Sequence, residues 1–395
     1  MSERIFTVLT IDGGGVRGIM TARLLQEIEE RTGKSVSELF DLIAGSSTGA
    51  ILAGSLCAPD PQNPGKPLYS AEDMKNFYLQ DAATIFPPSR NRQLKHFVPG
   101  MSGFFNPAPF EKILEDRLGD TTMGDSLNCL MIAGSDMKAY RPVWMSTFKN
   151  MGKRPDLPQK WESLKLRDAI RASASPPTIF PAKYIYTQPN KSTPQAHERH
   201  AFLDGSMFAA TISRSAHTFA RKIAPENARI VVASLGTGYI ESSLTPDQMN
   251  KMSPISWALT MMSASIDFTI QETLKNLRAE IGDDLMRFDA KIDPQDVDAP
   301  DMGLTCAKPE NLAKLLKATE KMIDKHDDKI DVLCEILLAR LHIESELKIK
   351  TEASSKKGGL LSKFNPFKGK KSKKIKGQND NNAPKAKNNR FSPRK

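Results

Sequence analysis

Two patterns of apolar and polar positions divide the chain, and the change comes near residue 245. Before that point, short apolar runs rich in β-branched residues alternate with stretches whose apolar positions recur every three or four residues. Such runs are typical of strands buried on both faces, and their alternation with helical stretches is typical of a parallel sheet covered by helices. The pattern therefore predicts an α/β fold with a largely parallel central sheet flanked by helices. The strand-like runs include residues 6–11, 42–44, 129–133 and 229–233.

Helical periodicity dominates residues 245–350, which we predict to form a C-terminal helical extension. Residues 309–350 carry apolar side chains at spacings of three and four, which places them in one stripe on an otherwise charged surface. Such a stripe can pack across the preceding domain, form a helical hairpin with residues 254–290, or join two copies of the chain, so the oligomeric state stays open. The stripe contains Leu312, Leu315, Leu316, Met322, Ile323, Ile330, Leu333, Ile336, Leu337 and Leu341.

Two glycine-rich turns follow the first two strand-like runs. The first is Asp12-Gly13-Gly14-Gly15-Val16-Arg17-Gly18, and the second is Gly45-Ser46-Ser47-Thr48-Gly49. A Gly-x-Ser-x-Gly between a strand and a helix is typical of a nucleophile elbow, which lifts the middle serine, here Ser47, above the end of the sheet. A nucleophilic serine also needs a base and an oxyanion hole, and the backbone amides of a glycine loop beside a helix can supply the second. Together the turns indicate acyl transfer or hydrolysis.

The base must come from another part of the chain. None of the six histidines lies in a loop context that marks it as catalytic. His197 and His200 lie close together, but no third ligand cluster accompanies them, so we interpret them as part of a polar loop rather than a metal pair. Asp204 ends a short apolar run and precedes Gly205. An aspartate there can take the serine proton, although Asp-Gly is also common in plain turns, and the residues alone leave both interpretations open.

The order and spacing of these three motifs resemble those of the patatin-like phospholipases. The resemblance covers about residues 5–240 and includes two further segments. They are Ala172-Ser173-Ala174-Ser175-Pro176-Pro177, similar to a family Ala-Ser-x-Ala-x-Pro segment, and Ser234-Leu235-Gly236-Thr237-Gly238, similar to a family strand and turn. The resemblance implies a three-layer fold, with a catalytic domain over residues 1–350, a motif-bearing core at about 7–217 and a sheet that continues to about 240.

The resemblance also implies a Ser–Asp dyad in place of a triad, with Ser47 as nucleophile and Asp204 as base. The amides of Gly13, Gly14 and Gly15 would form the oxyanion hole, and Arg17 would brace that loop or meet a phosphate. The implied activity is hydrolysis of carboxylic esters in glycerolipids or phospholipids, of phospholipase A or lysophospholipase type. We expect no metal or other cofactor, because the glycine loop would replace a Lewis acid. The remaining motif positions are Asp12, Gly18, Gly45, Gly49 and Gly205.

One departure from the family pattern and two alternative functions accompany this interpretation. Where the family usually has Gly or Ala after the Asp-Gly pair, this chain has Ser206. A catalytically silent lipid-binding or membrane-associated scaffold would share the fold, but the intact Ser47–Asp204 pair argues against it. Residues 13–18 also fit the dinucleotide fingerprint G-x-G-x-x-G. That use needs an acidic residue after the second strand, whereas Glu38 and Asp41 precede it.

A long segment over residues 85–107 combines prolines, aromatic residues and basic residues. One interpretation is a loop that packs its own aromatic side chains onto the core. The other is a cap near the site, in which Phe97, Phe104 and Phe105 contact acyl chains, because long loops are often binding elements.

The net charge of +10 belongs to the last 45 residues. Residues 351–395 contain fourteen Lys or Arg against Glu352 and Asp380, which gives +12 and leaves −2 for the remainder. This segment is also poor in residues that build a core, so we predict a disordered tail. Leu360, Leu361, Phe364 and Phe367 lie among its lysines, which suggests attachment to an anionic membrane surface. Nucleic-acid binding, a secretion signal and a solvated tail without function are the alternatives. We expect no nucleic-acid partner.

Four scattered cysteines without C-x-x-C spacing predict reduced, mostly buried thiols rather than disulfides or metal ligands. The first strand-like run begins near the first residue, and no apolar run approaches the roughly twenty residues that span a bilayer. We therefore expect no classical signal peptide and a cytoplasmic protein that attaches peripherally to membranes.

Overall fold

The computed structural model divides the chain into a unit Met1–Glu344 and a unit Ser345–Lys395. The strands, which all belong to the first unit, are β1 (Ile5–Ile11), β2 (Leu42–Gly45), β3 (Cys129–Asp136), β4 (Arg141–Ser146), β5 (Lys183–Tyr186), β6 (Arg199–Asp204), β7 (Arg229–Leu235) and β8 (Leu285–Phe288). The helices are α1 (Gly18–Thr32), α2 (Val36–Leu39), α3 (Thr48–Cys57), α4 (Ala71–Ile85), α5 (Ala108–Leu118), α6 (Leu166–Ser173), α7 (Ser213–Ile223), α8 (Pro246–Asn250), α9 (Pro254–Ile281), α10 (Pro309–Lys325) and α11 (Asp327–Lys363). The structure describes residues 4–87, 105–148, 161–186, 199–240, 245–252, 254–292 and 304–363.

The strands form one eight-stranded sheet in the order β5-β6-β3-β2-β1-β7-β8, with β4 paired to β3. The four central pairings, β3–β2, β2–β1, β1–β7 and β7–β8, are parallel. The pairings of β3 with β4 and β6, and of β5 with β6, are antiparallel. Parallel neighbours need crossover connections, and α1 between β1 and β2 and α9 between β7 and β8 lie in such connections. The predicted α/β fold with a largely parallel sheet is confirmed.

Both faces of the sheet are covered by apolar side chains. Alternate residues of β1 point to opposite faces, so Leu9 and Ile11 join one core and Phe6 and Val8 join the other. The first core also contains side chains of α1, α3, α4, α5 and α6, whereas the second contains those of α7 and α9. A sheet between two helical layers is the expected three-layer arrangement.

The apolar stripe of the C-terminal extension lies on two helices, α10 and α11, which meet at His326. Its residues, such as Leu315 and Leu333, belong to the first core, which confirms that the stripe packs on the catalytic unit. Ion pairs reinforce this packing: Arg23 lies 2.7 Å from Glu320, and Arg31 lies 2.7 Å from Asp327.

Helix α11 continues to Lys363, past the boundary predicted at residue 350, and the rest of the predicted tail lies outside the described residues. The domain boundaries and the disorder of the tail stay predictions. Among the described helices, none combines the length and apolar character that crossing a membrane would need. All four cysteines are free, three of them buried, as predicted.

Candidate active site

Ser47 lies at the tight turn between β2 and α3. Its backbone has φ 55° and ψ −120°, a conformation that costs energy in a residue with a side chain and that is often found at active sites. The turn closes because its flanking residues are glycines: a Cβ at Gly49 would strike the carbonyl group of Ile11. The Ser47 amide donates a hydrogen bond of 2.9 Å to Ser173 Oγ. The strain and its anchor hold the Ser47 hydroxyl above the carboxyl end of the sheet.

The Ser47 hydroxyl donates a hydrogen bond of 2.8 Å to Asp204 Oδ2. Asp204 ends β6, and β3 separates β6 from β2 in the sheet. Asp204 pairs with Gly134 of β3, and Gly45 pairs with Ile132, so the strand ends that carry the two side chains meet at one edge. Both side chains are nearly inaccessible to solvent, with exposed fractions of 9% for Ser47 and 2% for Asp204. The structure thus brings the two sequence-predicted residues into direct contact.

The segment after α6 holds both members of this pair. Ser173 accepts the hydrogen bond from the Ser47 amide, and the carbonyl group of Ser175 accepts one of 3.0 Å from the Asp204 amide. The buried guanidinium of Arg171 fixes the segment in turn, through hydrogen bonds to Ser175 Oγ and to the Ala174 carbonyl. The family resemblance included this segment but gave it no function. In the structure, the segment positions Ser47 and Asp204.

Burial raises the pKa of Asp204 from 3.8 to about 6. Hydrogen bonds from the Ser206 amide and from Ser47, together with the positive charge of Arg171, oppose this effect. A carboxylate with a pKa near 6 is still ionised at neutral pH but holds a proton far more readily than an exposed aspartate. Asp204 can therefore accept the proton of the hydroxyl that it contacts.

The glycine loop presents two backbone amides without an acceptor. The Gly13 amide donates a hydrogen bond of 3.3 Å to the Ala210 carbonyl, whereas no acceptor for the Gly14 or Gly15 amide is found in the described part of the chain. Gly15 has φ 56°, a conformation that favours glycine. Of the three predicted oxyanion donors, Gly14 and Gly15 are thus available and Gly13 is occupied.

Ser206, the departure from the family pattern, fits because residue 13 has no side chain. A Cβ at Gly13 would collide with the Ser206 hydroxyl. That hydroxyl lies 3.1 Å from Ser46 Oγ, and the Ser206 amide donates a hydrogen bond of 2.8 Å to Asp204 Oδ1. The larger residue therefore leaves the turn intact and adds a contact to the serine elbow.

A buried cluster of charged side chains holds Asp12, the first residue of the glycine-rich turn. Asp12 is 1% exposed, and its Oδ2 lies 2.6 Å from Arg287 Nη1. Arg287 also pairs with Asp289 at 2.6 Å, and Asp289 Oδ1 accepts a hydrogen bond of 2.9 Å from the Gly238 amide. Burial raises the pKa of Asp12 to about 6, although the charge of Arg287 opposes this. Nothing near Arg287 in the sequence indicated that it would lie beside the loop.

Arg17 lies on the 3-10 turn Gly15–Arg17 and lines the cavity next to Ser47. Asp267 of α9 lines the same cavity, and the charge of Arg17 opposes the upward shift that burial gives the Asp267 pKa. The two uses predicted for Arg17, bracing the loop and meeting a phosphate, stay predictions.

The cavity has a volume of about 280 Å³, and its lining includes Ser47, Asp204 and the glycine loop. Phe105 packs behind the cavity wall at 5.3 Å from Phe86, ring centre to ring centre, so it contributes to the core, while Phe97 and Phe104 lie outside the described residues. Most of the remaining wall is apolar, and Arg17 and Asp267 are its charged members. The apolar residues include Ile51, Phe77, Ile85, Phe86, Phe110, Ile179 and Phe180.

None of the four described histidines lines the cavity. His200 Nδ1 lies 2.7 Å from Asp136 Oδ2, and it precedes Asp204 by four strand residues, about 13 Å along β6. His217 is buried on α7, beside Glu280. His197 lies outside the described residues, within which no group of three His, Cys, Asp or Glu side chains could hold a metal ion.

Comparisons with known proteins agree with this geometry. A family model described as "Patatin-like phospholipase" matches residues 9–215. The chain is 29% identical over 279 residues to Patatin-2-Kuras 3 of Solanum tuberosum, which covers 65% of this chain and 67% of that protein. It is 28% identical over 272 residues to "Probable inactive patatin-3-Kuras 1" of the same plant, covering 64% of this chain and 68% of that protein.

Among solved structures, the human GIVD cytosolic phospholipase A2 is similar with a TM-score of 0.41 and 10% identity, covering 86% of this chain and 60% of that chain. The family model spans more than half of the 395 residues and includes the glycine loop, the serine elbow and Asp204. The resemblance inferred from the motifs is confirmed: the chain belongs to the patatin-like phospholipase family.

Proposed function

We propose that this protein is a serine acyl hydrolase that cleaves carboxylic esters of glycerolipids through a Ser47–Asp204 dyad. The observation that carries the proposal is the 2.8 Å hydrogen bond from Ser47 Oγ to Asp204 Oδ2 in the wall of a mainly apolar cavity. Family membership supports the reaction class. Because one relative bears the name "Probable inactive patatin-3-Kuras 1", the activity has to be measured on this chain.

In the proposed reaction, Ser47 Oγ attacks the ester carbonyl carbon while its proton passes to Asp204 Oδ2. The Gly14 and Gly15 amides donate to the negative carbonyl oxygen of the tetrahedral intermediate. This intermediate expels the alcohol of the lysolipid, which takes the proton from Asp204, and an acyl-enzyme remains. Water then attacks the acyl-enzyme, with Asp204 again accepting the proton. The bond between the acyl carbon and Ser47 Oγ breaks as Oγ takes that proton back from Asp204, and a fatty acid leaves.

The shape and polarity of the cavity support an acyl chain as the part of the substrate that is recognised. Its wall beyond the catalytic pair consists mainly of aromatic and branched aliphatic side chains, which suit a hydrocarbon tail and not a sugar or a peptide. The ester would lie beside Ser47 and Asp204, which both line the cavity.

The proposal is tested with the purified full chain on vesicles that contain a panel of glycerolipids with different head groups. We expect mass spectrometry to detect free fatty acid together with the matching lysolipid, and to detect neither in the presence of Ser47→Ala protein. A folded chain that releases no fatty acid from any glycerolipid or from a short-chain ester would contradict the proposal and favour a lipid-binding scaffold.

The pH profile should show an acid limb near pH 6. Asp204 must be ionised to accept a proton, and its pKa is raised to about 6, so kcat/KM on a soluble ester should fall about tenfold per pH unit below that value. Asp12 has a similar pKa, so the limb should persist in Asp12→Asn protein. A profile that is flat down to pH 4.5, or a limb that disappears with Asp12, would exclude Asp204 as the titrating base.

The basic tail remains our prediction for attachment to anionic membranes. Removing residues 351–395, which carry +12, should leave hydrolysis of a soluble ester unchanged and should lower sedimentation with anionic vesicles. The difference should shrink with salt, because exposed charges are screened within about 10 Å at 0.1 M ionic strength. A full-length variant with the tail lysines replaced by glutamine separates charge from length. Equal sedimentation of all three forms would leave the tail without a membrane function.

A further inference from the structure

Helix α9 has two halves of different character. Residues 254–266 contain no charged side chain, whereas residues 267–281 contain five: Asp267, Glu272, Lys275, Arg278 and Glu280. The charged half is fixed to the catalytic unit, because Leu274, Leu277 and Ile281 pack in the second core. The uncharged half continues the same helix, and its composition is unusual for a helix with solvent-exposed side chains.

Large apolar side chains of the uncharged half and of the adjoining residue Phe268 lie along one line of the helix. Trp257, Met261 and Phe268 are separated by four and seven residues, spacings that place them on the same face. Met261 is 44% exposed and Phe268 is 66% exposed, while Trp257 is partly buried. Further along the same line come the polar residues Glu272 and Lys275. The exposed apolar surface is thus confined to the first part of the helix.

This part of α9 borders the cavity that contains Ser47. Ser265, Ile266 and Thr269, which lie between or beside the residues of the apolar line, contribute to the cavity lining. Met207, on the 3-10 turn that follows β6, also lines the cavity and is 54% exposed. The apolar surface therefore adjoins the cavity at a stretch of lining that contains the apolar Ile266 and the polar Ser265, Asp267 and Thr269.

We propose that one apolar surface docks on the lipid–water interface of a bilayer. This surface, the α9 surface, consists of Trp257, Met261 and Phe268 of α9 together with Met207. The inference rests on the proposed function, because a glycerolipid must leave a bilayer to reach Ser47. An apolar surface beside the cavity would hold the cavity close to the bilayer and so reduce the exposure of an acyl chain to water during that transfer. Tryptophan and phenylalanine are typical of helices that lie in the interface plane.

Because the side chains of this surface carry no charge, we expect it to bind the apolar part of a lipid interface rather than an anionic head group. Residues 254–266 offer no Lys or Arg to a phosphate, and Asp267, next to Phe268, is an acid that lines the cavity. Docking through this surface should therefore persist on neutral vesicles and at high salt, under which attachment through the basic tail should be weak. This difference separates the two surfaces experimentally.

The test compares two double variants of the full chain. In Met261→Ser/Phe268→Ser the α9 surface is made polar, and in Val332→Ser/Leu338→Ser two side chains of α11 with exposed fractions of 48% and 38% are changed in the same way. On phosphatidylcholine vesicles at high salt, we expect the α9 variant to bind at least about tenfold more weakly than wild type, and the α11 variant to bind as wild type does. Turnover of a soluble ester should stay within about twofold in both.

A second measurement uses the native tryptophan and needs no polar substitution. Lipids brominated in their acyl chains should quench part of the wild-type fluorescence, and Trp257→Phe should remove that part. Absence of Trp257 quenching, or equal vesicle binding by the two double variants, would overturn the proposal. The proposal would also be overturned if the α9 variant lost as much soluble-ester turnover as vesicle binding, since Met261 and Phe268 would then act inside the cavity.

A surface that joins two copies of the chain is the alternative outcome. Concentration-dependent dimers of wild type that the α9 variant fails to form, combined with unchanged vesicle binding, would refute lipid docking in favour of self-association. Failure of the proposed function would look different, because wild type would then hydrolyse no ester while its binding to neutral vesicles still depended on Met261 and Phe268.

Discussion

Replacing Ser47 by alanine should lower kcat for ester hydrolysis at least about 10⁴-fold, because the hydroxyl that would form the acyl-enzyme is lost. A fluorophosphonate, which reacts with activated serines, should label the wild type and leave the variant unlabelled. The fold should persist, since alanine keeps the backbone anchor from the Ser47 amide to Ser173 Oγ.

Ser46→Ala is the matched control for this prediction. Ser46 is the neighbouring residue in the same turn, and its hydroxyl contacts Ser206 rather than Asp204. We expect this variant to react with the fluorophosphonate and to keep most of its activity. Full labelling of Ser47→Ala protein would show that another serine is the nucleophile.

Replacing Asp204 by asparagine should lower kcat by about 10²–10⁴-fold, since the amide cannot accept the serine proton. Asparagine is nearly the same size, and its oxygen can still accept the hydrogen bond that the Ser206 amide gives to Asp204. The loss should therefore reflect the missing base rather than a disordered turn, and circular dichroism should show an unchanged fold.

Histidine variants distinguish a dyad from a triad. His200→Gln and His217→Gln change buried histidines that do not line the cavity, and His197→Gln covers the remaining histidine near β6 in the sequence. We expect each folded variant to keep most of its turnover on a soluble ester. If one of these histidines proves as necessary as Asp204, the proton passes through a triad and the dyad assignment is wrong.

The parts of the site that could be predicted are those that a short segment encodes. The elbow needs glycines within two residues of Ser47, because neighbouring backbone segments come too close for a Cβ, so the motif is visible in the chain. Asp204 has no comparable local signature, and its selection over the histidines depended on the family resemblance. The alternation of strand-like and helical runs predicted the sheet, but it could not reveal the antiparallel pairing of β3 with β6.

The residues that position the site could not be predicted, because their contacts join distant parts of the chain. Ser173 lies 126 residues from the Ser47 amide that it anchors. Arg287 pairs with Asp12 from β8, and a lone arginine in a strand carries no mark of such a pairing. In the C-terminal extension, the apolar spacing continued across His326 because periodicity reports which face is buried and not where the helix axis turns.

In the proposed mechanism, the burial of Asp204 sets activity against thermal stability. The folded protein binds the Asp204 proton more tightly than the unfolded chain does, so the stability that this group contributes is complete below about pH 3.8 and is lost as pH rises through about 6. At pH 7 the ionised carboxylate leaves the fold about 3 kcal/mol less stable than at low pH. Asp204→Asn protein, although inactive, should melt several degrees higher than wild type at pH 7, and calorimetry at pH 4 should show little of that gain. A lower melting temperature at pH 7 would contradict this. Selection for turnover would then keep the protein less stable than the single substitution Asp204→Asn could make it.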